Sequence, residues 1–235
     1  MNISGKKAVV FGGTSGIGLA TAEQLAEAGA EVIVIGRNPP KSGQLPAGVT
    51  ASQCDVRDGA ALETLLESLA PFDILVSAAT GGDRAIGPFL DMDMDGFKAS
   101  FDKLWGYANV VRHGARHVTD GGSITLVSGS PARKCKPGQI ALSSVGGAVE
   151  AMVRALAIEL APRIRINVVS PGVIDTPMVA AQGDARSALY NKMTAGNLIP
   201  RPGAASEVAQ GIMFVIGNDF VTGTTVDVDG GALLS

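Results

Sequence analysis

Residues Phe11–Gly18 read FGGTSGIG, and the chemistry this segment suits is the capture of an anion. Gly12, Gly16 and Gly18 let the backbone turn sharply and approach a pyrophosphate closely, with Thr14, Ser15 and Ile17 completing the turn. A helix beginning at this point would add the partial positive charge of its N-terminus. The spacing is G-x-x-x-G-x-G rather than G-x-G-x-x-G. Glycine turns that bind nothing also exist, but the strand–turn–helix setting argues for a ligand. A second feature is VIVIGRN at the end of the next apolar run. An acidic residue there would bond the ribose hydroxyls of a dinucleotide and repel a 2′-phosphate. This chain has Gly36, Arg37 and Asn38 instead. Arg37 is either a phosphate-binding guanidinium or a solvated arginine after a strand, and charge logic favours NADP over NAD. His113 and His117 stand four apart, as metal ligands on a helix do, but Arg112 and Arg116 accompany them. Like charges disfavour a cation there, so the pair is read as a helix face and no metal is expected.

The elements that must position these residues alternate along the chain. Apolar β-rich runs at Ala8–Phe11, Glu31–Ile35, Val49–Gln53, Ile74–Ser77, Ser123–Val127, Ile164–Val169 and Thr225–Val228 predict strands. Helices are predicted at Ile17–Ala28, Gly59–Leu69, Asp95–Val118, Gln139–Leu160 and Ser206–Ile216. Such alternation is the pattern of a mainly parallel seven-stranded sheet with helices on both faces, a single doubly wound α/β domain over residues 1–235. Prolines and glycines between Arg37 and Val49 predict a short or missing crossover helix. Gly183–Pro202 is weakly patterned, either a surface helix and loop or a lid over a substrate.

Composition narrows the partners. With 46% hydrophobic and 17% charged residues, disorder is excluded and some apolar surplus is assigned to a subunit interface. The net charge of -3 offers no basic stripe for nucleic acid. Two cysteines make no disulfide framework and fit a reduced cytosol. No signal peptide or membrane span is expected, so a cytoplasmic protein is the expectation.

The glycine spacing resembles that of the short-chain dehydrogenase/reductase family, and three further segments extend the resemblance along nearly the whole chain. CDV at Cys54–Val56 resembles the family's adenine-binding Asp–Val, which gives Asp55 and Val56 that role. INVVSPGVIDTPM at Ile166–Met178 resembles the segment receiving the nicotinamide end, with Pro171, Gly172, Val173 and Thr176. TGTTVDVDGG at Thr222–Gly231 resembles the closing strand and its turn. The resemblance implies a Rossmann-type fold and NADP(H), with SAAT at Ser77–Thr80 replacing an Asn-Ala-Gly segment and setting Ala78 and Ala79 beside the cofactor.

In the family a serine ends the fifth strand and Y-x-x-x-K opens the next long helix, where the lysine lowers the tyrosine pKa for proton exchange. Alignment of AVEAMVRALAIEL (Ala148–Leu160) puts Leu142 at the tyrosine and Gly146 at the lysine. Gly129 takes the serine's place, flanked by Ser128 and Ser130, whose hydroxyls either reach the substrate oxygen or satisfy turn backbone groups. FDKLWG places Lys103 where the family carries an active-site asparagine. Its flexible stem is expected to extend into space vacated at Gly146 and Gly147, there to hold a ribose or act as an acid. The competing reading is a surface lysine, or one paired with Asp102 or another carboxylate. ARKCKPG (Ala132–Gly138) aligns with the border of the substrate pocket. Arg133, Lys134 and Lys136 either attract an anionic group or form a solvated basic loop, with Cys135 reactive or idle between the lysines.

Together these features imply an NADP(H)-dependent oxidoreductase acting on a carbonyl, an alcohol or an activated alkene, with an atypical proton donor: Lys103, Ser128, Ser130, the substrate itself or a water chain. The alternative is a non-catalytic NADP(H)-binding sensor or regulatory protein. The family's habit of pairing its two long helices implies a homotetramer or homodimer, with Gly146, Gly147, Ala148 and Ala151 allowing close approach.

Overall fold

A computed structural model describes residues 1–40, 45–80 and 83–235. Strands β1 (Lys7–Phe11), β2 (Glu31–Gly36), β3 (Val49–Gln53), β4 (Phe72–Ser77), β5 (Val118–Val127) and β6 (Ile164–Pro171) form the body of one sheet. A short β7 (Ile174–Asp175) pairs with β8 (Gly203–Ala204), and β9 (Thr225–Val228) closes the main sheet. The order is β3-β2-β1-β4-β5-β6-β9, with every pairing parallel. Helices α1 (Gly16–Glu27), α2 (Gly59–Leu69), α3 (Met94–Ala99), α4 (Asp102–Gly114), α5 (Ile140–Leu160), α6 (Gly183–Thr194) and α7 (Ala205–Gly217) complete the chain.

The two-residue period of β1 divides the core. Val9 and Phe11 join Leu62 and Leu66 of α2, Val110 of α4 and Val149 and Val153 of α5 in one cluster. Ala8 and Val10 join Ala22 and Leu25 of α1 and Val208, Ile212 and Val215 of α7 in the other. Both faces are thus buried, which explains why the central strands read as continuous apolar runs. Among the described residues α5 is long and apolar enough to cross a membrane, but its Val149 and Val153 are spent on the core.

Three expectations are corrected. The helix expected over Asp95–Val118 is two helices, with its break at Ser100–Phe101. Ser100 Oγ donates to Gly96 O at 2.9 Å and accepts from Ala85 N at 2.8 Å. A side chain bonding back four residues bends a helix, and here it also ties in the preceding loop. The distal part is a 3₁₀ turn at Ala115–His117, and β5 starts at Val118 rather than Ser123. His113 and His117 therefore do not share one helix, and His113 Nδ1 lies 4.0 Å from Glu63. Of the β2–β3 connection, residues 41–44 lie outside the described residues, and its described part contains no helix.

Candidate active site

In a parallel sheet the C-terminal ends of the strands share one edge, and a crevice opens where successive connections leave in opposite directions. Here that point is between β1 and β4. A cleft of about 960 Å³ runs along this edge, walled by the turns after β1, β2, β4, β5 and β6. This is at the upper end of the roughly 300–1,000 Å³ typical of small-molecule sites.

The glycine turn forms one end. A Cβ on Gly12 would lie 2.7 Å from Ala79 N, and one on Gly18 would lie 2.1 Å from Gly12 O. A side chain at Gly12 would push the turn away from the segment after β4, and one at Gly18 would force the turn and α1 apart. Ser15, the residue preceding α1, makes no side-chain cap hydrogen bond, leaving the first-turn N–H groups of α1 available to an anion. These features fit the phosphates of a dinucleotide. Thr14, Ser15, Gly16 and Ile17 line the same wall, as do Asp55, Val56, Ala78 and Ala79 beside it and Pro171, Gly172, Val173 and Thr176 opposite. Arg37 also reaches the cleft, and Asn38 follows it, exposed after the end of β2. A Cβ on Gly36 would sit 3.0 Å from Thr14 Cγ2, so a side chain at the end of β2 would press on Thr14 of the glycine turn. Asp55 accepts from Arg57 Nε at 3.1 Å and Nη2 at 2.7 Å, and that partner holds its carboxyl below the usual range.

At the other end stands Lys103. It is half-buried, lines the cleft, and donates from Nζ to Ser128 O at 3.0 Å. The ammonium also faces the ring of Tyr107, 5.5 Å from its centroid. Asp102 turns instead to Arg57 at 3.2 Å, and among the described residues no carboxylate pairs with Lys103. Burial first, and the cation of Arg84 second, pull its pKa down to about 7. The Tyr107 phenol is a poor substitute acid. Its Oη donates to Val127 O at 2.9 Å, and burial raises its pKa.

Several sequence expectations resolve differently here. Ser128 Oγ donates to the buried Glu150 at 3.2 Å, so this hydroxyl is engaged inside the protein. Ser130 stays on the cleft wall at the start of a 3₁₀ turn, Ser130–Ala132. Leu142 and Gly146 line the cleft too, but Gly146 leaves no vacancy. A Cβ there would meet Ala132 Cβ at 2.9 Å, so a side chain at this position would have to displace the 3₁₀ turn, and Lys103 is bonded to Ser128 O. Gly147 does face open space. Arg133 is bound to Asp227 and lies 3.3 Å from Glu150, while Lys134 donates to the carbonyls of Ala232 and Ser235. Two of the three basic loop residues are thus structural ties, and Lys136 alone reaches the cleft without such a partner among the described residues. Sequence reasoning missed Arg84, which follows the fourth strand without periodic context. It also missed Glu150, although an acid on the buried stripe Val149–Val153 of α5 was a readable signal.

The Gly183–Pro202 stretch contains α6, and the β7–β8 pair ties its two ends. Arg186 binds Asp175 and the Thr176 carbonyl, and stacks 5.2 Å from the Tyr190 centroid. The segment presents Leu189, Lys192 and Met193 to the cleft, beside Met178 in the stretch after β7. It is an anchored wall of the site.

With this geometry in place, comparisons with known proteins agree with one another. The family described as Enoyl-(Acyl carrier protein) reductase matches residues 12–232. The short-chain dehydrogenase/reductase malC of Malbranchea aurantiaca is 31% identical over 265 residues, covering 99% of this chain and 96% of that protein. The L-xylulose reductase of Mesocricetus auratus is 28% identical over 248 residues, covering 100% and 99%. A small-chain dehydrogenase solved in complex with NADPH superposes with a TM-score of 0.83 at 34% identity, covering 99% of this chain and 100% of that one. Fold, cleft and relatives lead to one conclusion: this chain belongs to the short-chain dehydrogenase/reductase family of oxidoreductases.

Proposed function

We propose that this protein is an NADP(H)-dependent oxidoreductase acting on a carbonyl, an alcohol or an activated alkene, with Lys103 as its proton donor. In this reading it is a divergent family member, with Leu142 and Gly146 at the positions of the tyrosine and lysine. The observation that carries the reading is Lys103 itself, an ammonium in the cleft with no carboxylate partner among the described residues and a pKa of about 7.

The glycine turn and the N-terminus of α1 would hold the pyrophosphate, Arg37 the 2′-phosphate, and Asp55 and Val56 the adenosine. Val173 and Thr176 would border the nicotinamide. When bound, the nicotinamide supplies or accepts the hydride. Lys103 supports the other half of the chemistry. One N–H is fixed by Ser128 O, which leaves two to face a substrate oxygen. In reduction the cationic Nζ donates a proton to that oxygen and becomes a neutral amine. In oxidation the neutral amine takes the proton back. A donor whose pKa lies near working pH serves both directions. Ser130 adds a second hydroxyl on the same wall, and Met178, Leu189 and Met193 keep bulk water off one side.

Leu142 favours a second reading, a non-catalytic NADP(H)-binding sensor or regulatory protein, because it offers no exchangeable proton. A single-turnover experiment separates the two: the NADPH-saturated protein is mixed with ketones, enones and quinones and nicotinamide absorbance is followed. Oxidation that depends on both protein and substrate supports the enzyme, and tight NADPH binding without oxidation supports the sensor. We further propose a homotetramer assembled through α4 and α5, whose outer faces expose Trp105 and Ile158, 63% and 81% accessible in the single chain.

A further inference from the structure

Resting on the oxidoreductase reading, we propose that the substrate is an apolar oxo acid whose carboxylate is held at the rim of the cleft by Lys136 and Lys192. Its carbonyl would then point inward to Lys103. The chain as a whole is acidic, with net charge -3, yet its cleft is not. Among the described residues Asp55 is the single carboxylate on the cleft wall, and Arg57 already neutralises it. Facing the cavity are Arg84, Lys103, Lys136 and Lys192, none paired with a carboxylate among the described residues.

The contrast with neighbouring cations is instructive. In the loop after β5, Arg133 and Lys134 are consumed by Asp227, Glu150 and main-chain carbonyls, and Lys136 is left over. In α6, Arg186 is consumed by Asp175, and Lys192 is left over. The two leftover cations come from different segments that border one cavity. In the binding mode proposed above the cofactor phosphates have other partners: the glycine turn with the N-terminus of α1, and Arg37, whereas Lys136 lies in the loop after β5 and Lys192 on α6. Positive groups on low-dielectric walls focus the field into the cleft and draw an anion in. Between them Met178, Leu189 and Met193 offer apolar surface for the body of the ligand. A neutral ligand would leave the cations without use, and a small hydrophilic acid would leave the methionines so.

The test is calorimetric titration of octanoate and of octanamide into the NADP⁺-loaded protein and into the Lys136→Gln/Lys192→Gln double variant. Both lysines are exposed, so the variant retains the fold. The expected result is tighter binding of octanoate than octanamide, an advantage that shrinks with salt. The double variant should lose about tenfold or more in octanoate affinity and none for the amide. No advantage of acid over amide in the native protein, or unchanged octanoate binding in the variant, overturns the proposal. NADPH titration of the same samples reads the cofactor site separately. Normal NADPH binding with no preference for the acid overturns this inference alone. Failure to bind NADPH overturns the oxidoreductase reading, and the carboxylate titration is then made on the unliganded protein.

Discussion

The two ends of the cleft are built by different means. At the glycine turn the backbone does the work: Gly12 and Gly18 permit contacts that any Cβ would block, and the donors are main-chain N–H groups at the start of α1. At the other end side chains from distant segments converge, with Lys103 from α4, Ser128 from the end of β5, Glu150 from α5 and Arg84 from the loop after β4. A backbone site tolerates little change, because each residue type is dictated by local geometry. A side-chain site can be rebuilt by exchanging residues on a fixed frame. The glycine turn keeps its family's pattern, and in the function proposed above the other end has been rebuilt around a lysine.

The contrast is broken most sharply at Lys103. Lys103→Met is expected to slow single-turnover NADPH oxidation by about 10²–10⁴-fold, the usual worth of a positioned acid. NADPH affinity, measured by fluorescence titration, should change far less. Arg37→Glu should act on the opposite end. It should weaken NADPH by roughly ten- to a hundredfold, the worth of a charge-assisted phosphate contact, while sparing NADH. An unchanged ratio of the two affinities would remove Arg37 from the cofactor site.

Backbone dictation is tested by Gly18→Ala. The new methyl meets Gly12 O, and overpacking of this kind costs about 1–3 kcal/mol, visible in thermal unfolding. Full stability in that variant would contradict the tight turn. A further effect, confined to part of the pH range, concerns Lys103 again. Its folded pKa, about 7, lies below the ordinary lysine value of 10.5. Between those values the unfolded chain binds a proton that the folded chain does not. This group's penalty is therefore full below about pH 7 and is relieved as pH rises toward 10.5. Lys103→Met should then be more stable than the native protein in mild acid, with the difference fading in alkali. A difference independent of pH would show that folding does not lower the Lys103 pKa.

The same division decides what was legible in the sequence. β3 and β9 match their expected bounds, and the other strands differ chiefly at their ends, because apolar runs buried on both faces leave a clear trace. The glycine turn was legible because its constraint is local. The break between α3 and α4 was not, since it depends on Ser100 meeting Ala85 in a separate segment. Lys103 was visible through its position in a family pattern, but its partner was not. The space expected at Gly146 is occupied by Ala132, whose 3₁₀ turn carries no periodic signal. Arg84 lies in an irregular stretch, and only its proximity to Lys103 in three dimensions reveals it.

The central claim is that Lys103 supplies the proton. It is tested most directly by the pH dependence of single-turnover NADPH oxidation in the native protein and in Lys103→Met, over about pH 5.5 to 9. The account predicts a native rate that falls as pH rises through about 7, where the ammonium is lost, and a variant rate that is low without that inflection. Equal rates with the same pH profile in both proteins would contradict it.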